Sequence, residues 1–259
     1  MEEENAKEYL SRCRHLKECG KVVCSPWGFV SSAKSKVSNK RLLVVGLNAH
    51  DSGDPDEVWQ NTTRESYSKG LKDLMRAEIT TGKSRCISSI MQPIARFLLR
   101  SGTPESQIQA LNLIEWCNIV SCCPTPARDG KTMDASRPSN MMRTNCVERL
   151  KNGEEHELLD RLRTYQPTHI LVAGKDTRVL WERASALGTA LSMALNENPR
   201  PIVAFSWHPI QYRYTCAVYW DHVYAQLSGA SQTSITPRLN QRRTAQQTNS
   251  LDALRMKAR

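Results

Sequence analysis

Residues 42–51 read LLVVGLNAHD, an apolar run that ends in an amide (Asn48), an imidazole (His50) and a carboxylate (Asp51). A site that binds and activates a small polar group needs side chains like these converging where a buried strand meets solvent. Two other segments end in the same manner. Residues 117–124, CNIVSCCP, carry Asn118 and a pair of cysteines, and residues 207–210, WHPI, place His208 just beyond an apolar run. An amide offers both a donor and an acceptor, so it can orient water or read a polar edge, although it is a poor base. An imidazole can donate to a developing negative charge. Each residue also has an ordinary structural use. Asn48 can cap a helix, Asp51 can cap the turn with Ser52, Gly53 and Asp54, and His208 can be a packed histidine.

Nine cysteines offer a second kind of chemistry, at positions 13, 19, 24, 86, 117, 122, 123, 146 and 216. The opening stretch MEEENAKEYL is acidic and polar, unlike a secretory signal, so a cytoplasmic location is expected. A disulfide framework is then not expected. Buried free thiols account for some of the nine. The grouping near the N-terminus and at 122–123 points to metal ligation for others.

The elements that must position these groups follow from periodicity. Helices are expected over 4–19, 63–78, 88–100, 143–165, 176–187 and 215–227. Apolar runs at 42–47, 113–121, 169–173 and 202–206 read as strands. Strands alternating with helices imply an α/β fold, here a three-layer αβα sandwich around a four-stranded, mainly parallel sheet. In such sheets ligands bind beyond the carboxyl ends of the strands, which here supply Asn48, Asn118, Gly174 and His208. A single domain is expected over 1–227, with insertions near 51–85 and 125–140. Residues 228–259 carry six basic groups and one acid among many Ser, Thr and Gln, and read as a disordered basic arm.

Composition narrows the partner. The net charge is +10 at pH 7, which favours an anionic macromolecule, nucleic acid first. No apolar run approaches the roughly 20 residues that span a bilayer. There is no phosphate-binding loop of the GxxxxGKS/T type and no GxSxG elbow.

Three segments, in order, resemble motifs of the uracil-DNA glycosylase superfamily. GLNAH at 46–50 is similar to its first motif, with forms such as GQDPY and GINPG. CNIVSCCP at 117–124 is similar to the NVVKCRPP motif of its iron–sulfur, thermostable-type branch. WHPI at 207–210 is similar to the HPS motif, and QPTHILVAG at 166–174 to a strand of the same branch. The resemblance covers residues 42–227. It implies a monofunctional DNA glycosylase that flips a damaged or modified pyrimidine from the duplex and hydrolyses its N-glycosidic bond. By that likeness Asn48 orients water and His208 donates to the departing base. Asn118 reads the base edge, with Gly46, Leu47 and His50 lining the same pocket. Asp51 either supports water placement or only caps its turn.

Two departures bear on the substrate. His50 stands where one branch has a Tyr that blocks C5 substituents, and the Phe that stacks on the base has no evident counterpart. A C5-modified pyrimidine is therefore expected beside uracil as a target, in repair or in defence against modified viral DNA. The resemblance also implies a 4Fe–4S cluster held by Cys13, Cys122, Cys146 and either Cys19 or Cys24, because Leu10 occupies the slot of the usual CxxC partner. Zinc and a lost cluster are the alternatives. DNA contacts are expected from Lys175 and Arg178, from Arg128, Lys131 and Arg137 in the Pro-rich loop, and from Gln211, Tyr212 and Arg213 after the His-Pro turn. A monomer acting on DNA is the leading expectation. A non-catalytic binder of modified DNA and a metal-stapled nucleotide hydrolase are the rival classes.

Overall fold

A computed structural model describes residues 4–19, 28, 30–31, 39–48, 62–82, 85–121, 138–197, 200–206 and 216–229, with the side chains of 48, 85–89 and 216–220 outside the description. Four strands, β1 (Leu42–Asn48), β2 (Ile114–Val120), β3 (His169–Ala173) and β4 (Ile202–Ser206), form one sheet in the order β2-β1-β3-β4. All three pairings are parallel, so the expected mainly parallel sheet is wholly parallel. Strands β1, β2 and β3 are largely buried on both sides, which explains why they read as short, mostly apolar runs rather than alternating ones, whereas β4 lies at the sheet edge with Ile202 48% exposed.

Strand alternation splits the core in two. Leu43, Val45, Cys117, Ile119, Ile170 and Val172 face one helical layer. That layer holds α1 (Ala6–Ser11), α2 (Leu16–Cys19), α6 (Asn140–Asn152), α7 (Glu157–Tyr165), α8 (Lys175–Ala184) and α9 (Ala190–Leu195). Leu42, Val44, Ile114, Leu171, Ala173 and Ala204 face the other. There α3 (Arg64–Thr81), α4 (Arg85–Leu99), α5 (Pro104–Leu111) and α10 (Cys216–Leu227) pack. The three-layer αβα sandwich is therefore as expected.

Several boundaries differ from expectation. The helix expected over 4–19 breaks into α1 and α2, because Cys13 N–H turns back to the Leu10 carbonyl and Leu16 N–H to that of Cys13. The helix expected over 143–165 is two helices. Gly153 ends α6 at φ 73°, a left-handed C-cap that glycine adopts without a Cβ penalty, and His156 then caps α7. The alternating charges of 143–165 suggest a surface helix, but Val147, Leu150, Leu158 and Leu159 are fully buried. Periodicity does not predict helices α5 and α9. They are 8 and 6 residues long, too short for a clear repeat. Their caps are nonetheless legible: Thr103 with Pro104 at the first position, and Thr189, each accepting an N–H in the first turn.

Candidate functional site

The chain leaves β1, pairs β2 on one side, then crosses back past β1 to lay down β3 and β4 on the other. The order reverses between β1 and β3. In open α/β sheets the crevice at such a reversal, beyond the carboxyl ends, is where ligands bind. Asn48 is the last residue of β1, opposite Val120 of β2. Beyond β3 the chain turns at Gly174, whose φ of 106° suits only glycine and whose N–H donates to the Ser206 carbonyl at 2.9 Å.

Register brings the next pair together. Gly46 lies opposite Asn118. A Cβ on Gly46 would meet the Asn118 Oδ1 at 2.7 Å and the Trp116 Nε1 at 3.1 Å. Glycine is therefore required if the Asn118 amide and the Trp116 indole are to lie across β1. Asn118 is 5% exposed, so its amide is oriented by packing rather than by solvent. An amide and an indole N–H sit on one face of the sheet within two residues of Asn48. Trp116 is missed by sequence reasoning because an aromatic in a strand signals core, and only the register shows what it covers.

The other expected site residues divide as follows. Leu47 packs into the opposite layer, so its side chain is not beside Asn118 and Gly46, as alternation along a strand requires. This corrects its expected place in the base pocket. Lys175 is exposed at the start of α8. Arg178 is engaged, with Nε 2.7 Å from the Glu182 Oε1 and its guanidinium 4.7 Å above the Phe205 ring. His50, Asp51, Cys122, Arg128, Lys131, Arg137, His208, Gln211, Tyr212 and Arg213 lie outside the described residues, as does the arm at 230–259.

Beneath the end of β2, His156 is fully buried. Its Nδ1 accepts the Leu158 N–H at 3.1 Å, and its Nε2 lies 3.2 Å from both the Ile119 carbonyl and the Ser121 Oγ. Nδ1 as acceptor leaves the proton on Nε2. Burial, with the nearby Arg149 charge, pushes its pKa down to about 3, so it is neutral. It ties the carboxyl end of β2 to the start of α7.

Three thiols gather in the same layer. Cys13 and Cys146 are buried and Cys19 is half-buried. Helix α2 packs on α6, and Asn145 Nδ2 reaches the Cys19 Sγ at 3.6 Å. Burial pushes the Cys146 thiol up to about 11, with a Ser121 backbone N–H pulling against it and the charges of Cys13 and Cys19 adding to the rise. The Cys19 thiol is also raised by burial, against Asn145, with Cys13 adding again. These thiols sense one another, although no three His, Cys, Asp or Glu side chains among the described residues stand close enough to hold a metal ion. Cys117 is separate and fully buried within the sheet. Arg149, one turn beyond Cys146, is 3% exposed, and its Nη1 is buried without a partner. Taking a guanidinium out of water costs several kcal/mol unless it is paired.

No family model matches the chain, and neither the curated proteins nor the solved structures contain a match.

Proposed function

We propose that this protein is a monofunctional DNA glycosylase that extrudes a damaged or modified pyrimidine and hydrolyses its N-glycosidic bond, a divergent relative of the uracil-DNA glycosylase superfamily. The observation that carries the reading is the pairing of Gly46 with Asn118, which lays a buried amide across β1 two residues before Asn48 at the reversal of the sheet. A flipped base needs a directional donor and acceptor held rigidly in a place that a duplex cannot enter. Asn118 supplies both. The Trp116 indole beside it supplies an apolar surface.

In the proposed reaction the C1′–N bond breaks with its electron pair leaving on the base, and the sugar takes on oxocarbenium character. His208 donates to the base oxygen as charge builds there. Asn48 holds a water through its amide, and the water oxygen bonds to C1′, its proton passing to solvent. The products are an abasic site and the free base. Lys175, Arg128, Lys131 and Arg213 provide phosphate contacts in this reading, and Tyr212 or Gln211 fills the vacated stack.

A 4Fe–4S cluster is proposed as a structural cofactor. It needs four thiolates around one small volume. What bears on it is the donor set: Cys13, Cys19 and Cys146 share one helical layer, with N–H donors from Asn145 on Cys19 and from Ser121 on Cys146, but they do not stand close enough together to hold a metal ion. Cys122, next in sequence to Ser121, is the proposed fourth ligand. Bound there, a cluster would supply no bond-making step and would serve only to hold structure.

The test is a panel of duplexes carrying uracil or C5-modified pyrimidines, with alkaline cleavage of any abasic product. The expected result is cleavage of at least one duplex. His208→Ala should lose roughly 100-fold in rate, the usual cost of removing a donor to a developing anion. Gly46→Ala, which drives a methyl into the Asn118 amide, should lose activity while keeping most of its thermal stability. Tight binding to a modified duplex without abasic product would make the protein a reader of that base instead, and turnover of free nucleotides would replace both readings.

A further inference from the structure

Strand β2 carries Trp116 and Asn118, yet it lies at an edge of the sheet, with β1 as its strand neighbour on one side. The open side of an edge strand offers its backbone to whatever lies there. A Cβ on Gly28 would come 1.7 Å from the Trp116 carbonyl oxygen and 3.0 Å from the Cys117 Cα, so the backbone at 28 touches that of β2 directly. Only glycine allows such an approach. Both helical layers hold the contact. The Gly28 N–H donates to the carboxylate oxygens of Glu157 in α7, at 3.1 and 3.3 Å. The Val30 N–H donates to the Ser68 Oγ of α3 at 2.9 Å. The Ser31 hydroxyl donates to the Asn112 carbonyl at 2.9 Å, and its backbone N–H bonds to the Glu115 carboxyl of β2. Ser68, Glu115 and Glu157 are all buried, and Arg161 answers both acids. Charged acceptors hold an N–H more strongly than neutral ones, so the segment is fixed in place rather than merely laid against the sheet.

On its other side β2 meets a second glycine. The Asn118 Oδ1 and the Trp116 Nε1 lie 2.7 and 3.1 Å from where a Gly46 Cβ would stand. Trp116 is thus placed between two glycines, Gly28 against its carbonyl and Gly46 beside its indole. We propose that the segment through Gly28, Val30 and Ser31 is a buttress on β2 that sets the Asn118 amide and the Trp116 indole over Gly46, with Gly28 a positioning residue anchored by Glu157. Groups that recognise a ligand must be held to within about 0.5 Å. Strand β1 constrains β2 from one side, and the buttress supplies the constraint from the other. The effect on catalysis rests on the glycosylase reading given above, whereas the placement of the two side chains does not.

The experiment uses the full chain, isotopically labelled in its six tryptophan indoles, as wild type, Gly28→Ala and Ser68→Ala. The Trp116 indole signal is identified by its loss from Trp116→Phe. Gly28→Ala forces a methyl against β2. Ser68→Ala removes the Val30 acceptor on α3 and leaves the contact with β2 in place. Gly28→Ala should move the Trp116 signal. It should also lower kcat by up to roughly 100-fold on a duplex that wild type cleaves, measured well below the melting temperature, as expected when a recognition group is displaced by about 1 Å. Ser68→Ala should lower the melting temperature and leave both the signal and kcat as in wild type. An unmoved signal in Gly28→Ala, or equal movement in both variants, overturns the proposal, since the segment then only adds stability. Hydrogen exchange on wild type is a test that needs no variant to fold: the Gly28 and Val30 amides should exchange as slowly as those of β2. Exchange at the rate of an open chain overturns the proposal as well. If wild type cleaves no duplex, the glycosylase reading falls, and the indole signal and exchange rates still decide the buttress.

Discussion

At the residue scale, the side chains that decide most are small or neutral ones. Gly46 matters for the Cβ it lacks, and Asn118 because that gap admits its amide. His156 matters because it is uncharged. Its native pKa of about 3 lies below the ordinary 6.5, so between those values the unfolded chain binds a proton that the native state does not. Its contribution to stability is therefore complete above about pH 6.5 and lost as the pH falls toward 3. His222 is depressed in the same direction, to about 4, chiefly by burial. A comparison with His156→Asn isolates the first group, since asparagine can still cap α7 and does not titrate. Wild type is expected to melt well above His156→Asn at about pH 7, and that gap should narrow steadily toward about pH 4. A gap that stays constant with pH would show that His156 is not neutral in the native state. Asn118 could be read from its motif, and His156 could not, because its partners Ile119 and Ser121 are over thirty residues away in sequence.

At the element scale, helix α7 is anchored by charge as much as by packing. Arg161 reaches Glu157 at 2.8 Å on its own helix and Glu115 of β2 at 3.3 Å. Glu157 also accepts the Gly28 N–H at 3.1 Å, which brings the N-terminal segment into the same network. Burial pushes both carboxyls up and Arg161 pulls them back, so the guanidinium is what makes the two acids tolerable inside. Arg161→Met should lower stability by about 3–5 kcal/mol, read from the urea midpoint, because it strands two buried carboxylates. Adding Glu115→Gln and Glu157→Gln to that variant should restore part of the loss. A loss under about 1 kcal/mol in the single variant would mean that the network is screened as a surface pair is. In the sequence the alternating charges of 143–165 indicate a solvated helix. Only the tertiary packing reveals that Arg161 and Glu157 point inward, since helical period alone does not say which face meets the sheet.

At the scale of the whole molecule, the +10 net charge is unevenly spread along the chain. Residues 228–259 hold six basic groups and one acid, half of the net charge. Lys175 is exposed at the carboxyl edge of the sheet. If the arm and that edge both bind phosphates, affinity for DNA should fall steeply with salt. Truncation after residue 229 should then reduce the slope of log affinity against log salt by roughly 3–5, at about 0.9 for each phosphate no longer neutralised, without lowering the melting temperature. An unchanged slope would confine phosphate binding to the folded part. No helix among the described residues is long and apolar enough to cross a membrane.

The sequence alone determined the layer architecture, because a strand buried on both faces must be apolar throughout and a helix between parallel strands must carry one apolar face. It placed the four strands to within a residue and located Asn48 and Asn118 at or near strand ends. The tertiary structure decided which of those ends are neighbours. The β2-β1-β3-β4 order and its register set Asn118 over Gly46, and the packing of α6 on the sheet buries Arg149. Strand order and register depend on contacts between residues far apart in the chain, and local periodicity carries no term for them.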